Sequence, residues 1–502
     1  MKKKFIPFRN LYTIPLALFI LLVSSCDLQE ANVNPNAPSD APLSVILTGA
    51  QGTLAYNLGL DAGLLSATVM QQTAGSNGDA TANDNYTAIP GRFNGIWVNF
   101  YSSVLGELDI IVKKSKATNA PYYTGIARVL TAFTYGTLTD TFGDIPFSTA
   151  LQGRNNTAPA YDSQQQVYEG IQAILDSAIT ELSLPASSFT TAPPGSDDLV
   201  FKGNVQNWLA VAWTLKARYA LHLSKLDATA AATQALAYLY EGGVDGKYRG
   251  IASNAGDAQV VFGAAQTNAN PFYQQNTSRP GWVGLGASFV NLLNGNAVTD
   301  PSTQEPAATV DPRRAYFATP YQTGKYRGGV AGIPGAYSLI GSYYGSATSP
   351  VAIITYSEAK FIEAEARLLV NPTDPKAQTA LTDAVTASFN KVISNAADPD
   401  ATADKRAAYL AEKATLTGES AQDLETIITQ KYIALFLQAE PWVDYRRTGY
   451  PELPLAVNAT HSMNPNGQIA RRFPYPQNEQ SLNKQLPGPS TYQEPRLWWD
   501  KP

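Results

Sequence analysis

The chain has 502 residues, 44% of them hydrophobic, and a formal charge of −5 at pH 7. A chain of this length and apolar content buries a large core, as one large domain or two to four smaller ones, and is not intrinsically disordered. An acidic balance without a cluster of Lys and Arg excludes a nucleic-acid surface, and one cysteine with two histidines excludes disulfide pairing and a zinc site built from the usual three histidines.

The first element is a targeting segment. Lys2, Lys3, Lys4 and Arg9 surround the start of an apolar run from Leu11 to Val23, and Ser24, Ser25 and Cys26 follow. A basic region, a short apolar stretch and small residues make a signal peptide over residues 1–25; the run is shorter than the roughly 20 apolar residues that span a bilayer. Val23-Ser24-Ser25-Cys26 resembles the bacterial lipobox, which implies cleavage before Cys26 and lipid on its sulfur and on the new amine. One acyl chain anchors a protein only marginally; a triacylated cysteine exceeds that. Cleavage leaves 32 Lys and Arg against 41 Asp and Glu, a charge of −9, and lipidation leaves no thiol for catalysis or metal binding. Residues 26–42, rich in Pro and Asn, read as a tether, and residues 43–502 as the body.

Helical patterns follow. Residues 121–138 set Ile126, Leu130 and Phe133 on one side, and residues 167–182 repeat Val167, Ile171, Ile174, Ala178 and Leu182 on an amphipathic face. Asn204 is an N-cap for a helix whose stripe is Trp208, Ala212, Leu215 and Tyr219. Residues 228–241 are helical up to the stop signal Gly242-Gly243. Residues 355–369 place Ala359, Ile362, Ala366 and Leu369 inward, with Glu363 and Arg367 outward at i, i+4. Residues 424–440 form a last long helix ended by Pro441. Alanine on the packing faces suits close helix pairs, but no clean 34-residue period is present. Between about residues 250 and 350 the pattern breaks into aromatic-rich loops, "TNANPFYQQNTSRPGWVGLGASF" and "YRGGVAGIPGAYSLIGSYYGSATSP"; ordered loops of such length are usually functional.

The stretches "YGTLTDTFGDIPFSTAL" (135–151), "WLAVAWTLKARYALHLSK" (208–225), "DPRRAYFATP" (311–320), "TYSEAKFIEAEARLL" (355–369), "EPWVDYRRTGYPEL" (440–453) and "RRFPYPQNEQSLN" (471–483), in this order and behind a lipobox, resemble the SusD/RagB-like nutrient-binding outer-membrane lipoproteins of Bacteroidetes. The resemblance implies a mostly α fold, with tetratricopeptide-like helix pairs in an α-α superhelix and a loop-rich ligand-facing region. It implies a protein lipid-anchored on the outer membrane and facing outward. Its partner is a SusC-like TonB-dependent transporter, and its ligand is an oligosaccharide or, in some members, a peptide. It implies no catalysis and no cofactor; some members bind structural calcium, for which no motif stands here.

Several charged residues have a structural reading beside a functional one. Asp140 and Asp144 are read as part of a turn rather than a catalytic carboxylate pair or calcium site. Glu358, Glu363 and Glu365 are read as a solvated helix face rather than acid–base groups. Arg446 and Arg447 are expected to pair with Asp444 or Glu440, His222 to pack beside a helix stripe, and His461 to lie solvated in a loop. A lipid-anchored hydrolase acting through paired carboxylates, and a scaffolding helical-repeat protein, are the competing functions.

Sugar rings have apolar C–H faces ringed by hydroxyls, so a binder presents aromatic platforms beside amide or guanidinium donors. Tyr273 and Trp282 are the expected platforms, with Asn276 and Arg279 as hydrogen-bonding partners, followed by Tyr343, Tyr344 and Tyr86. The alternative is that these rings anchor their own loops.

Overall fold

The computed structural model of the chain describes residues 41–189, 191–244, 246–298, 305–395 and 397–501. The signal segment, Cys26 and the tether up to residue 40 lie outside the described residues.

Helices carry the architecture, and their ends follow local chemistry. The longer ones are α1 (Leu43–Asn57), α2 (Gly106–Ala117), α3 (Pro121–Phe142), α4 (Gln164–Leu182), α5 (Val205–Leu221), α6 (Ala228–Leu239), α7 (Pro271–Ser278), α8 (Tyr356–Val370), α9 (Pro375–Val392), α10 (Ala403–Lys413), α11 (Ser420–Ala434) and α12 (Glu440–Thr448). Ser163 and Gln166 close a reciprocal capping box at the start of α4. Asn204 accepts from the N–H groups of Gln206 and Asn207 at the start of α5, as its position in the sequence predicted. Of the α4 stripe, Val167, Ile171, Ala178 and Leu182 are buried and Ile174 is half-buried; the α5 stripe of Trp208, Ala212, Leu215 and Tyr219 is buried throughout.

Neighbouring helices pack in chain order: α2 on α3, α3 on α4, α4 on α5, α5 on α6. The chain then leaves this stack for the loop-rich segment and returns, so that α8 packs on α6, α9 and α11. The result is the mostly helical superhelix expected. Strands are short: β1 (Thr73–Gly75), β2 (Ile145–Pro146), β3 (Tyr161–Asp162), β4 (Tyr240–Glu241), β5 (Lys247–Tyr248), β6 (Ala258–Val260), β7 (Val283–Leu285) and β8 (Val351–Ile354). Among the described residues they form four antiparallel pairs, β1–β7, β2–β3, β4–β5 and β6–β8.

Three boundaries differ from the sequence reading. Pro441 does not end a helix: α11 stops at Ala434 and Pro441 occupies the first turn of α12, where its missing N–H leaves no bond unmade. α6 stops at Leu239, and Gly242-Gly243 instead turns β4 into β5. The stretch 271–278, expected as loop, is helical because Asn270 caps it and Pro271 starts it.

The larger correction concerns α8. Glu358, Glu363 and Glu365 are not a solvated face; they are 0%, 4% and 0% exposed. Glu358 takes two bonds of 2.6 Å from Arg218 on α5. Glu365 takes bonds of 2.6 and 2.9 Å from Arg447 on α12, which also reaches Asp444 at 2.6 Å. Glu363 pairs with Arg367 at 2.8 Å, as its i, i+4 spacing predicted, but both are buried. Among the described residues Arg446 pairs with no carboxylate: it donates to the backbone carbonyls of Trp442, Asp140 and Arg471. Lys431 reaches Glu440 and Asp444.

His222 sits at the edge of this network, 1% exposed, in contact with Tyr168 Oη at 2.9 Å and Glu440 at 2.9 Å, with Asp140 3.4 Å away. Burial by itself would lower its pKa; Glu440 and Asp140 outweigh burial and raise it from 6.5 to about 9. A group whose pKa rises on folding stabilises the fold fully below its unfolded value and loses that contribution as pH climbs through the folded one. Stability read by urea unfolding should therefore be greatest at or below about pH 6.5 and decline towards pH 9, and His222→Gln should be less stable at pH 6 and show a flatter decline; a wild-type profile level across that window would contradict this assignment.

Candidate functional site

The loop-rich segment builds its exposed face from turn chemistry. α7 ends at Ser278, and Arg279-Pro280-Gly281-Trp282 makes a tight turn closed by Trp282 N–H donating to Arg279 O at 3.3 Å. Proline at the second position and a glycine with φ +72° at the third are what a type II turn requires. The turn brings the Arg279 guanidinium over the indole of Trp282, 5.0 Å from the ring centroid. Beyond it the chain enters β7, whose ladder with β1 is extended by Ser76 N–H donating to Trp282 O at 2.8 Å. This pairing brings Gly78 against the indole. Gly78 has φ +56°, and a Cβ built there would lie 2.5 Å from Cζ3 of Trp282.

The second aromatic stretch joins the first. Leu285 N–H donates to Ser338 O at 2.8 Å, and Ser338 N–H to Arg327 O at 2.7 Å. Arg327 lies over two rings, 5.6 Å from Tyr321 and 5.9 Å from Tyr337. The stretch 83–93, which holds Tyr86, is tied in by Asp84, which accepts Gly332 N–H at 2.7 Å. Burial raises the pKa of Asp84 to about 7, against the opposing pull of the N–H groups of Gly332 and Gly75. Backbone bonds thus join the strand that follows Trp282 to β1 and to Ser338, and the Asp84 carboxylate ties residue 84 to Gly332.

The candidate residues divide between this face and an interior cleft. Arg279 is exposed and Trp282 half-buried on the face; Tyr273 and Asn276 are half-buried on α7. Tyr343 and Tyr344 occupy a single helical turn, Ser342–Gly345, packed against α7. They line a cleft together with Phe133, His222, Phe436 and Trp442. There Tyr344 stacks on Phe317 (5.4 Å between centroids) and meets Phe436 edge-on, and Tyr343 meets Tyr344 edge-on at 4.8 Å. Burial raises the pKa of both phenols. Tyr86 is a correction: it is 1% exposed with φ +63°, and its ring packs against Tyr492, so it anchors its loop and offers no ligand a face. His461 is also less solvated than expected; it is half-buried, and its Nδ1 accepts Met463 N–H.

The sequence reading did not single out Tyr321, Arg327 and Tyr337. The signal was present in "YQTGKYRGGVAGIPGAY", where aromatics and cations alternate with glycine, but spacing along a loop does not reveal which side chains meet. Asp140 and Asp144 serve structure: Asp140 accepts from Tyr168 Oη at 2.5 Å and Trp499 Nε1 at 3.2 Å, and Asp144 from Gln164 N–H at 2.8 Å. Among the described residues no group of His, Cys, Asp and Glu is placed to hold a metal ion.

Comparison with known proteins fits this architecture. The SusD-like family, described as starch-binding and associating with the outer membrane, matches residues 35–476. The chain belongs to that family. Its fold is that of solved SusD-like structures: a chitin-binding protein (24% identity, TM-score 0.75, covering 92% of this chain and 100% of the other), a SusD homologue of Bacteroides uniformis (24%, 0.72, 91% and 99%), and a chitin-binding SusD homologue of Flavobacterium johnsoniae (24%, 0.72, 92% and 97%). No curated protein matches the chain. No helix among the described residues is long and apolar enough to cross a membrane.

Gly78 tests the geometry of the SusD-like face. Gly78→Ala should displace the indole of Trp282, since the left-handed backbone and the Cβ overlap both oppose the substitution. The expected readout is a changed Trp fluorescence emission with a stability loss of about 1–2 kcal/mol, and an unchanged spectrum would contradict the placement of the ring.

Proposed function

We propose that this SusD-like protein captures an oligosaccharide at the outer-membrane surface and passes it to a SusC-like TonB-dependent transporter, held in place by lipid on Cys26. The observation that carries the reading is the surface contact of Arg279 with Trp282, on a backbone frame that also carries Arg327 over Tyr321 and Tyr337. Indole and phenol rings take the C–H faces of sugars while guanidinium and amide groups take their hydroxyls. The chitin-binding character of two proteins of this fold agrees with a saccharide ligand. Tyr273 and Asn276 on α7 extend the platform, and Tyr343 and Tyr344 line the neighbouring cleft.

Binding without hydrolysis is supported by the state of the carboxylates. Glycoside hydrolysis needs two carboxyl groups facing the substrate. The carboxylates that the sequence offered as pairs are engaged elsewhere: Glu358, Glu363 and Glu365 by Arg218, Arg367 and Arg447, Asp140 and Asp144 by Tyr168, Trp499 and a backbone N–H.

Two measurements check the proposal. Trp282→Ala combined with Tyr273→Ala should abolish retention in glycan-containing affinity gels with the melting temperature nearly unchanged; full retention, or retention of peptides alone, would refute the assignment, and any shortening of the glycans by the wild type would point to a hydrolase. Cys26→Ala should move the protein from the membrane fraction to the soluble fraction of cells.

A further inference from the structure

We infer that the oligosaccharide taken by this face is anionic, carrying carboxylate or sulfate groups that Arg279 and Arg327 recognise. The inference rests on the reading of the face as a glycan site and adds the class of glycan.

The basis is an unpaired charge in an acidic protein. The sequence holds 41 Asp and Glu against 36 Lys and Arg, so a carboxylate is the ordinary neighbour of an arginine here. Many of its arginines do have one, with Arg218, Arg313, Arg367, Arg447 and Arg471 all in contact with acids, and the buried Arg446 and Arg472 bond backbone carbonyls instead. Arg279 and Arg327 depart from it. Both are exposed, neither has a carboxylate within ion-pair distance among the described residues, and neither donates a side-chain hydrogen bond to a described residue. Asp79, next in sequence to the Gly78 that touches Trp282, is exposed and still does not pair with Arg279. Asp84, whose charge is felt at Tyr337 beneath Arg327, is buried and held partly protonated near neutral pH.

Instead, each guanidinium lies over aromatic rings: Arg279 over Trp282 at 5.0 Å, Arg327 over Tyr321 and Tyr337 at 5.6 and 5.9 Å. Each guanidinium thus rests against an aromatic surface while its N–H groups have no acceptor among the described residues. That is the preorganised form in which arginine binds planar carboxylate or the oxygens of sulfate through paired N–H···O bonds. A neutral sugar stacking on the same rings would cover a cation without compensating it, which is unfavourable. The backbone links from Trp282 through β7 and Leu285 to Ser338 and Arg327 place both cations on one connected frame.

The test is titration calorimetry of the mature, lipidated protein in detergent with three probes of matched length: oligogalacturonates for carboxylate, chondroitin sulfate oligosaccharides for sulfate, and chito-oligosaccharides as the neutral case. Tighter binding of either anionic probe, weakening as salt rises, supports the inference, and which of the two binds identifies the anion. Arg279→Ala and Arg327→Ala should each weaken that binding by about tenfold, with Arg279→Lys and Arg327→Lys retaining part of it. Equal or tighter binding of the neutral probe without salt dependence would overturn the inference and leave the binding function standing. Failure of all three glycans, with capture of an acidic peptide instead, would overturn both. The salt dependence of the unmodified protein decides the matter even if a variant fails to fold.

Discussion

Five carboxylates and five cationic side chains, buried where α3, α5, α8, α11 and α12 meet, set the terms for the rest of the molecule: Asp140, Glu358, Glu365, Glu440 and Asp444 with Arg218, His222, Lys431, Arg446 and Arg447. Taking a single charge out of water costs several kcal/mol, and removing one partner of a buried pair costs about 3–5 kcal/mol because the other remains. Such a network tolerates only the helix arrangement in which every member is matched. Burial alone would raise the pKa of Glu440, but His222, Lys431 and Arg218 hold it well below the usual carboxylate range. Arg446 shows the opposite balance: with backbone carbonyls as its partners, burial lowers its pKa to about 10.

That rigidity gives the loop-rich segment a fixed base. The chain leaves the helical stack after α6 and returns at α8, and its excursion is held at both ends: β6 pairs with β8 just before α8, and β7 pairs with β1 from the N-terminal part of the chain. The proposed binding face therefore rests on loops, but its backbone is pinned by short ladders and by Asp84. A surface that must meet a flexible polar ligand gains from this arrangement, because less conformational entropy is lost when the ligand arrives.

The interior cleft and the exposed face have different chemistry. The cleft is lined by Phe133, Phe436, Trp442, Tyr343 and Tyr344, with Arg218, His222 and Glu440 of the charged network in its wall. The face carries one guanidinium over Trp282 and another over the pair Tyr321 and Tyr337. Tyr343 and Tyr344 belong by sequence to the same loop as Tyr337, yet Tyr344 packs inward against Phe317 and Phe436, and Tyr343 packs edge-on against Tyr344. The membership of a ring in a binding loop therefore does not decide its role; the partner beneath it does.

The amino-acid sequence by itself determined the helices, their caps and the family pattern. A 3.6-residue period and a capping residue act within a few positions of one another, so α4, α5 and α8 were legible from apolar spacing and from residues such as Asn204. It also marked the three stretches from which the face is built, because aromatics in glycine- and proline-rich loops stand out in composition. The tertiary structure alone decided which charges and rings are exposed. Glu358 and Glu365 stand at i−4 and i+3 from the inward Ile362, but their charge assigned them to solvent, and Arg218 and Arg447, distant in the chain, make their burial tolerable. Tyr86 turns inward onto Tyr492, while Arg279 folds over Trp282 and Arg327 over Tyr337. Long-range pairing of charges and the direction of loop side chains depend on contacts between remote segments, which no local period encodes.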